Sequence, residues 1–277
     1  MAEGDTVYRI AAGLRPYLVG QSVLAARTSG RAQVSRLVGT TVDSIETVGK
    51  NLLIHFSGGL TVRTHLRMRG TWQHYAPGEP WRYPTSRAAL VLEVEGAVAV
   101  CFDAPIVELF ATRSQSLHPA LSRLGPDLLD EVFDPAIVLG RVREAHRGNT
   151  AIGEILLDQT VMAGVGNVFR SEILFIERVD PRARVADLDE ALLIRLIATA
   201  RTLLRANVAD HPGRTRTTTG GAREAAGGAL WVYGRAGRPC RRCGTLIRAA
   251  PLGKDLPRTV WWCARCQPEH VAGGATP

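Results

Sequence analysis

The sequence predicts an α+β multidomain protein: an N-terminal antiparallel β-sandwich with flanking helices, then a helical domain, then a β-hairpin carrying four cysteines. Three observations predict it. Short runs of strand-like alternation, punctuated by glycine turns, fill the first 115 or so residues. From Leu117 the apolar spacing changes to a helical period. Two Cys-x-x-Cys pairs, Cys240/Cys243 and Cys263/Cys266, stand nineteen residues apart near the end. A length of 277 residues suggests about two domains and ample chain for a core.

In chain order, Val7, Ile10, Ala11, Leu14 and Leu18 recur at helical spacing, with Asp5 or Thr6 as the expected N-cap. Six strands follow: Ser22–Thr28, Thr41–Val48, Leu52–Phe56, Leu60–Thr64, Ala88–Val94 and Ala97–Phe102. Gly58-Gly59 and Glu95-Gly96 mark hairpin turns. Residues 76–87, rich in Pro, Arg and aromatics, read as a loop. Helices are expected over Asp134–His146, Ala151–Met162, Val165–Glu177 and Leu188–Asn207, with glycines at 164 and 166 breaking the second from the third. Residues 210–228, dense in Gly, Thr and Arg, read as a mobile loop, and the last ten residues as a disordered tail. The expected domains are 1–115, 116–229 and 230–277.

The cysteine spacing is that of a four-thiolate structural zinc site, one ion per chain, held by Cys240, Cys243, Cys263 and Cys266. Two disulfides or free thiols are the alternative. No signal-peptide pattern opens the sequence, which favours reduced thiols and a cytoplasmic, nucleoid-associated protein. Between the pairs, Thr245–Arg248 and Thr259–Trp262 read as strands. Arg238, Arg241, Arg242, Arg248, Lys254, Arg258 and Arg265 decorate this hairpin. The fifth cysteine, Cys101, lies in an apolar run and reads as a core thiol.

The chain has 34 Lys+Arg against 26 Asp+Glu, a net charge of +8 and a pI near 9.8. That balance favours a polyanionic partner. Membrane is the competing polyanion, but no apolar run approaches the roughly 18 residues a span needs. Taken singly, the remaining motifs are ambiguous. Lys50, in Gly49-Lys50-Asn51, is a turn lysine of the kind usually solvated. Met68 could be a core residue. Asn167, after Gly164-Val165-Gly166, opens a helix whose N–H groups could meet a phosphate or simply permit close packing.

Taken together and in order, these pieces resemble the formamidopyrimidine-DNA glycosylase/endonuclease VIII family of base-excision repair enzymes over essentially the whole chain. They are Glu3-Gly4, Gly49-Lys50-Asn51-Leu52-Leu53, His65-Leu66-x-Met68-x-Gly70, and Leu157-Asp158-Gln159 through Gly166-Asn167. Val232-Tyr233-Gly234-Arg235 and Pro239-Cys240 through Cys266-Gln267 complete the set. The opening Glu-Gly-Asp-Thr-Val and the Leu-Trp-Val-Tyr-Gly-Arg stretch look most like an actinobacterial endonuclease VIII-like branch.

The resemblance implies a helix-two-turn-helix in the helical domain, damaged DNA as partner, DNA crossing a cleft, and a monomer. It implies that the amine of residue 2, freed by loss of Met1, attacks C1′ of a damaged nucleoside. A Schiff base and β/δ-elimination follow. Glu3 would be the general acid/base. Lys50 would bind the phosphate beside the lesion, Asn167 and Arg258 the flanking phosphates, and Met68 would fill the gap left by the flipped base. The family normally has proline at residue 2. Ala2 offers a primary amine that can still form an imine. Thr6 stands where better-known members have a second glutamate. The short, aromatic-poor segment between Asn207 and Leu230 points to oxidised pyrimidines as substrate. The alternative on the same scaffold is a catalytically silent lesion- or abasic-site-binding protein, which alanine at residue 2 would favour.

Overall fold

The computed structural model describes residues 2–144, 147–208, 216–219, 229–254 and 256–269. Most of the expected 210–228 loop and of the terminal tail lies outside them. The chain divides into two compact units after Arg123.

The first unit opens with helix α1 (Gly4–Leu18), whose stripe Val7, Ala11, Leu14 and Leu18 is buried in the core. Glu3 is its N-cap, not Asp5 or Thr6. Thr6 and Val7 both donate their N–H groups to the Glu3 carbonyl (3.0 and 3.1 Å), so the first turn starts earlier than apolar spacing suggests. Eight strands follow: β1 (Val23–Thr28), β2 (Val42–Val48), β3 (Asn51–Phe56), β4 (Leu60–His65), β5 (Thr71–Tyr75), β6 (Ala88–Val94), β7 (Ala97–Phe102) and β8 (Ile106–Ala111). They form two four-stranded antiparallel sheets, ordered β1-β6-β7-β5 and β2-β3-β4-β8. Residues from both sheets, among them Leu52, Ile54, Val62, Leu90 and Cys101, share one core with α1. Cys101 is buried there and its thiol is pushed well up by burial.

Sequence patterning missed β5 and β8. In β5, Trp72 joins the main core while Tyr75 joins a smaller cluster with Val91, Val100 and Phe102, so the run does not alternate cleanly. Strand β8 is an edge strand, half-buried at every position, with Glu108 in its middle.

The second unit contains α2 (Pro135–Val142), α3 (Ile152–Ile155), α4 (Asn167–Ile176) and α5 (Glu190–Ala206), then the hairpin β9 (Arg248–Leu252) and β10 (Arg258–Trp262). Asp134 caps α2 and Asp189 caps α5 through their side chains. Three expectations are corrected. The Asp134–His146 helix ends at Val142, with Arg143 as its C-cap. The Ala151–Met162 helix stops at Ile155. Beyond it the Asp158 carboxylate accepts from the Thr160 N–H (2.9 Å) and hydroxyl (2.7 Å), a local turn that competes with helix. The first hairpin strand is Arg248–Leu252, not Thr245–Arg248. Residues 245–247 are instead bonded back onto 237–240: Cys240 N–H to Thr245 O, 2.8 Å; Ile247 N–H to Arg238 O, 3.0 Å; Gly237 N–H to Ile247 O, 2.9 Å. No helix among the described residues is long and apolar enough to cross a membrane.

Candidate functional site

In the first unit the residues of interest gather at the end of β4. The Ala2 N–H donates to the Arg67 carbonyl at 3.3 Å. Beside it Glu3 is fully buried. Arg67 has φ 48, unusual for a residue with a Cβ. That conformation turns its own N–H onto His65 Nδ1 (3.2 Å) while its carbonyl meets Ala2. The turn closes through Gly70, whose N–H donates to the Leu66 carbonyl at 2.9 Å. A Cβ at Gly70 would lie 2.7 Å from that oxygen, so the close approach requires glycine.

Met68 rides on this turn with 56% of its surface exposed, so the core-methionine alternative is excluded. Lys50 follows Gly49 (φ 60) in the two-residue turn joining β2 to β3, where Val48 pairs with Asn51. The His65 pKa is pushed down to about 4, first by burial and then by Arg63, Lys50 and Arg67. A neutral imidazole therefore sits in a cationic cluster, which is an environment suited to an anion. Ala2, Glu3, Lys50 and Met68 thus belong to one neighbourhood. His65 entered the sequence reading only as part of a motif, without a role, and Arg63 and Arg67 were not singled out; their signal was the density of cations in Arg63–Arg69.

In the second unit Asn167 opens α4, and its side chain works inward. Its Nδ2 donates to the Thr259 carbonyl on β10 at 2.9 Å, and its Oδ1 accepts from Arg170. Arg170, fully buried, also donates to the carbonyls of Arg258 and Thr259, each at 3.0 Å. Asn167 and Arg258 are therefore brought together, with Arg258 exposed at the start of β10. Glu172 anchors the Trp231–Tyr233 stretch. Its carboxylate accepts the backbone N–H groups of Trp231, Val232 and Tyr233 at 2.7 to 2.9 Å, and the Thr218 hydroxyl. Not every hairpin arginine faces outward. Arg242 lies over the Phe175 ring at 4.5 Å, and Arg241 Nε bonds the Leu230 carbonyl at 3.0 Å.

The Sγ atoms of Cys240, Cys243, Cys263 and Cys266 lie within 4.8 Å of one another and could hold a metal ion. A tetrahedron with Zn–S of about 2.3 Å has S···S edges of about 3.8 Å. The Cys243–Cys263 and Cys240–Cys266 separations of 3.4 and 3.9 Å fit that, and are too long for the roughly 2.05 Å of a disulfide. The Arg242 N–H points at Cys240 Sγ (3.4 Å), as in a thiolate knuckle. Hydrogen bonds from Thr245 hold the Cys243 thiol down at about 6, while burial pushes Cys263 and Cys266 up. Gln267, fully buried, seats the second knuckle: it accepts from Cys263 N–H (3.0 Å) and donates to the Val179 carbonyl (2.8 Å).

Residues 1–105 match the formamidopyrimidine-DNA glycosylase N-terminal domain, and residues 124–219 the formamidopyrimidine-DNA glycosylase H2TH domain. The class is thus that of DNA glycosylases built from a β-sandwich and a helix-two-turn-helix unit. The chain belongs to the formamidopyrimidine-DNA glycosylase/endonuclease 8 family. It is 39% identical to the probable endonuclease 8 2 of Streptomyces coelicolor, over 100% of this chain and 98% of that protein. It is 38% identical to the DNA-(apurinic or apyrimidinic site) lyase Nei2 of Mycolicibacterium smegmatis, over 96% and 99% respectively. Its fold is also that of Lactococcus lactis Fpg, solved in complex with DNA containing an abasic site: TM-score 0.81, 23% identity, covering 96% of this chain and 100% of that one.

Proposed function

We propose that this chain is a bifunctional DNA glycosylase and abasic-site lyase that removes oxidised pyrimidines from DNA, working as a monomer on the chromosome in the cytoplasm. The observation that carries the reading is the end-to-end likeness to proteins named endonuclease 8 and abasic-site lyase.

Loss of Met1 turns the Ala2 nitrogen into a primary amine, whose ordinary pKa of about 7.7–8 leaves a useful neutral fraction at neutral pH. Its lone pair forms the bond to C1′ as the bond from C1′ to the base breaks, and the base leaves with the electrons of that broken bond and takes up a proton. The attacking nitrogen sheds its proton and forms the C=N bond while C1′–O4′ breaks. Glu3 gives a proton to O4′, and its carboxylate then removes one from C2′. The 3′-phosphate leaves in this β-elimination; loss of a second proton, from C4′, then expels the 5′-phosphate in the δ-elimination, and water releases the sugar remnant from Ala2. Lys50 holds the phosphate beside the lesion, Asn167 and Arg258 hold the flanking ones, and Met68 fills the space of the extruded base. Cys240, Cys243, Cys263 and Cys266 hold one zinc ion, which when bound fixes the hairpin and takes no part in bond making.

Borohydride trapping on DNA carrying thymine glycol or an abasic site tests this, with intact-mass and N-terminal peptide analysis of the same sample. An adduct on the Ala2 amine is expected. Binding without any adduct, in protein that has lost Met1, would overturn the lyase reading in favour of a silent lesion binder.

A further inference from the structure

Strand β4 carries a charge that the hydrophobic pattern does not explain. Arg63 is 4% exposed and lies directly across from Glu108 on β8. Its NH1 donates to Glu108 Oε2 at 2.5 Å, and His118 Nε2 approaches the same oxygen at 3.2 Å. On its other side, Arg63 Nε donates to Asn51 Oδ1 at 2.9 Å. The Asn51 amide is used at both ends, because its Nδ2 donates to the Val48 carbonyl at 2.8 Å. That arrangement fixes which end is oxygen: the reverse would set NH2 against a guanidinium and oxygen against a carbonyl. Val48 and Asn51 are the two residues that flank Gly49-Lys50. A continuous chain of bonds therefore runs from Glu108 through Arg63 and Asn51 to the stem of the Lys50 turn.

Stability is a poor account of this arrangement. Arg63 is buried while the Glu108 side chain is 44% exposed, and an ion pair with one partner in solvent contributes little net stability. The arrangement supplies direction instead. The planar fork of Arg63 locks Asn51, and Asn51 clasps the turn from within.

We infer that Arg63, backed by Glu108 and acting through Asn51, is a positioning residue that sets the Lys50 turn for phosphate binding. This rests on the reading of Lys50 as a phosphate ligand. Arg63 itself touches no substrate in this scheme. The nearby His65 imidazole, held neutral by burial and then by Arg63, Lys50 and Arg67, is consistent with a cluster arranged to receive an anion.

The test is a double-mutant cycle on the full chain, with duplex DNA carrying a tetrahydrofuran abasic analogue that cannot be cleaved. Affinity is measured across salt concentrations for Lys50→Met, Arg63→Met and the double variant, and thermal melting confirms folding. Lys50→Met and Arg63→Met should each weaken binding about 3- to 10-fold and lower the log–log salt slope by about one, the loss of one phosphate contact. The double variant should be no worse than either single one. A general structural role for Arg63 would make the losses add, leave the salt slope unmoved, or both, and would overturn the inference while Lys50 keeps its role. Absence of any effect from Lys50→Met would overturn the Lys50 reading, and the role of Arg63 with it. If Arg63→Met does not fold, Asn51→Ala enters the same cycle and should behave identically.

Discussion

His65 shows how one side chain reports its surroundings. An imidazole ordinarily takes a proton near pH 6.5, whereas here it does so near 4, because it is buried and faces Arg63, Lys50 and Arg67. The unfolded chain therefore binds this proton before the folded one does, and stability is lost as pH falls from about 6.5 to about 4. The ring is partly solvated, so the loss should be about 1–2 kcal/mol. Denaturant unfolding at pH 7 and pH 4.5 measures it, and His65→Gln should flatten the difference; an unchanged slope would show that other groups set it. Met68 makes the opposite case, a large apolar side chain left in solvent. Met68→Ala should change stability by no more than about 0.5 kcal/mol. As a wedge, Met68 matters only where a base must be extruded from a duplex. Single-turnover excision from duplex DNA should fall about 10-fold, with single-stranded substrate little affected. Equal loss on both substrates would count against the wedge.

At the scale of elements, helix α4 organises the second unit by offering successive polar side chains to distant backbone. Asn167 and Arg170 bind β10, and Glu172 binds residues 231–233. Glu172→Ala would leave three N–H groups without their acceptor and should cost about 3 kcal/mol in denaturant unfolding, with Glu172→Gln costing less because one acceptor oxygen remains. A loss below about 1 kcal/mol would mean that water replaces the carboxylate. These bonds also mark the limit of what the sequence makes legible. Helices α1 and α5 and strands β6 and β7 were readable because each buries one regular stripe or a continuous apolar run, and α4 because glycines mark its start, although it is buried on every face. Helix α3 was overextended because Leu156 and Val161 are as apolar as a helix requires, while Asp158 quietly takes the turn. Strand β9 was misplaced because Pro251 argues against a strand, whereas an edge strand of a two-stranded hairpin tolerates it. The cysteines, Lys50 and Asn167 could be singled out by spacing and motif. Arg63, Arg170 and Glu172 could not, since each acquires meaning from partners 45 to 89 residues away.

For the whole molecule, the two units differ in what holds them. The first relies on a large core shared by α1 and both sheets, with a smaller cluster around Tyr75 and Phe102 beside it. The second has a helical core and, apart from it, a small cluster in which Phe175, Val232 and Ile247 pack with Cys240 and Cys263. So small a cluster buries little apolar surface, and the four thiols within 4.8 Å of one another supply the remaining constraint only when a metal joins them. Metal removal should therefore act locally. Trp231 and Trp261 pack against the cysteine cluster and Trp262 immediately precedes Cys263, whereas Trp72 is buried in the sandwich with its Nε1–H on the Thr64 hydroxyl at 3.1 Å. A strong chelator should change the fluorescence of the first three, reduce binding to abasic-site DNA at least about 10-fold, and leave the sandwich folded. Added zinc should reverse both effects. A Trp72-only variant, with the other tryptophans replaced by phenylalanine, separates the units: its emission should not move on chelation. If binding survives complete metal removal, the Asn167 and Arg170 bonds to β10 suffice to hold Arg258, and the metal's contribution is to stability alone.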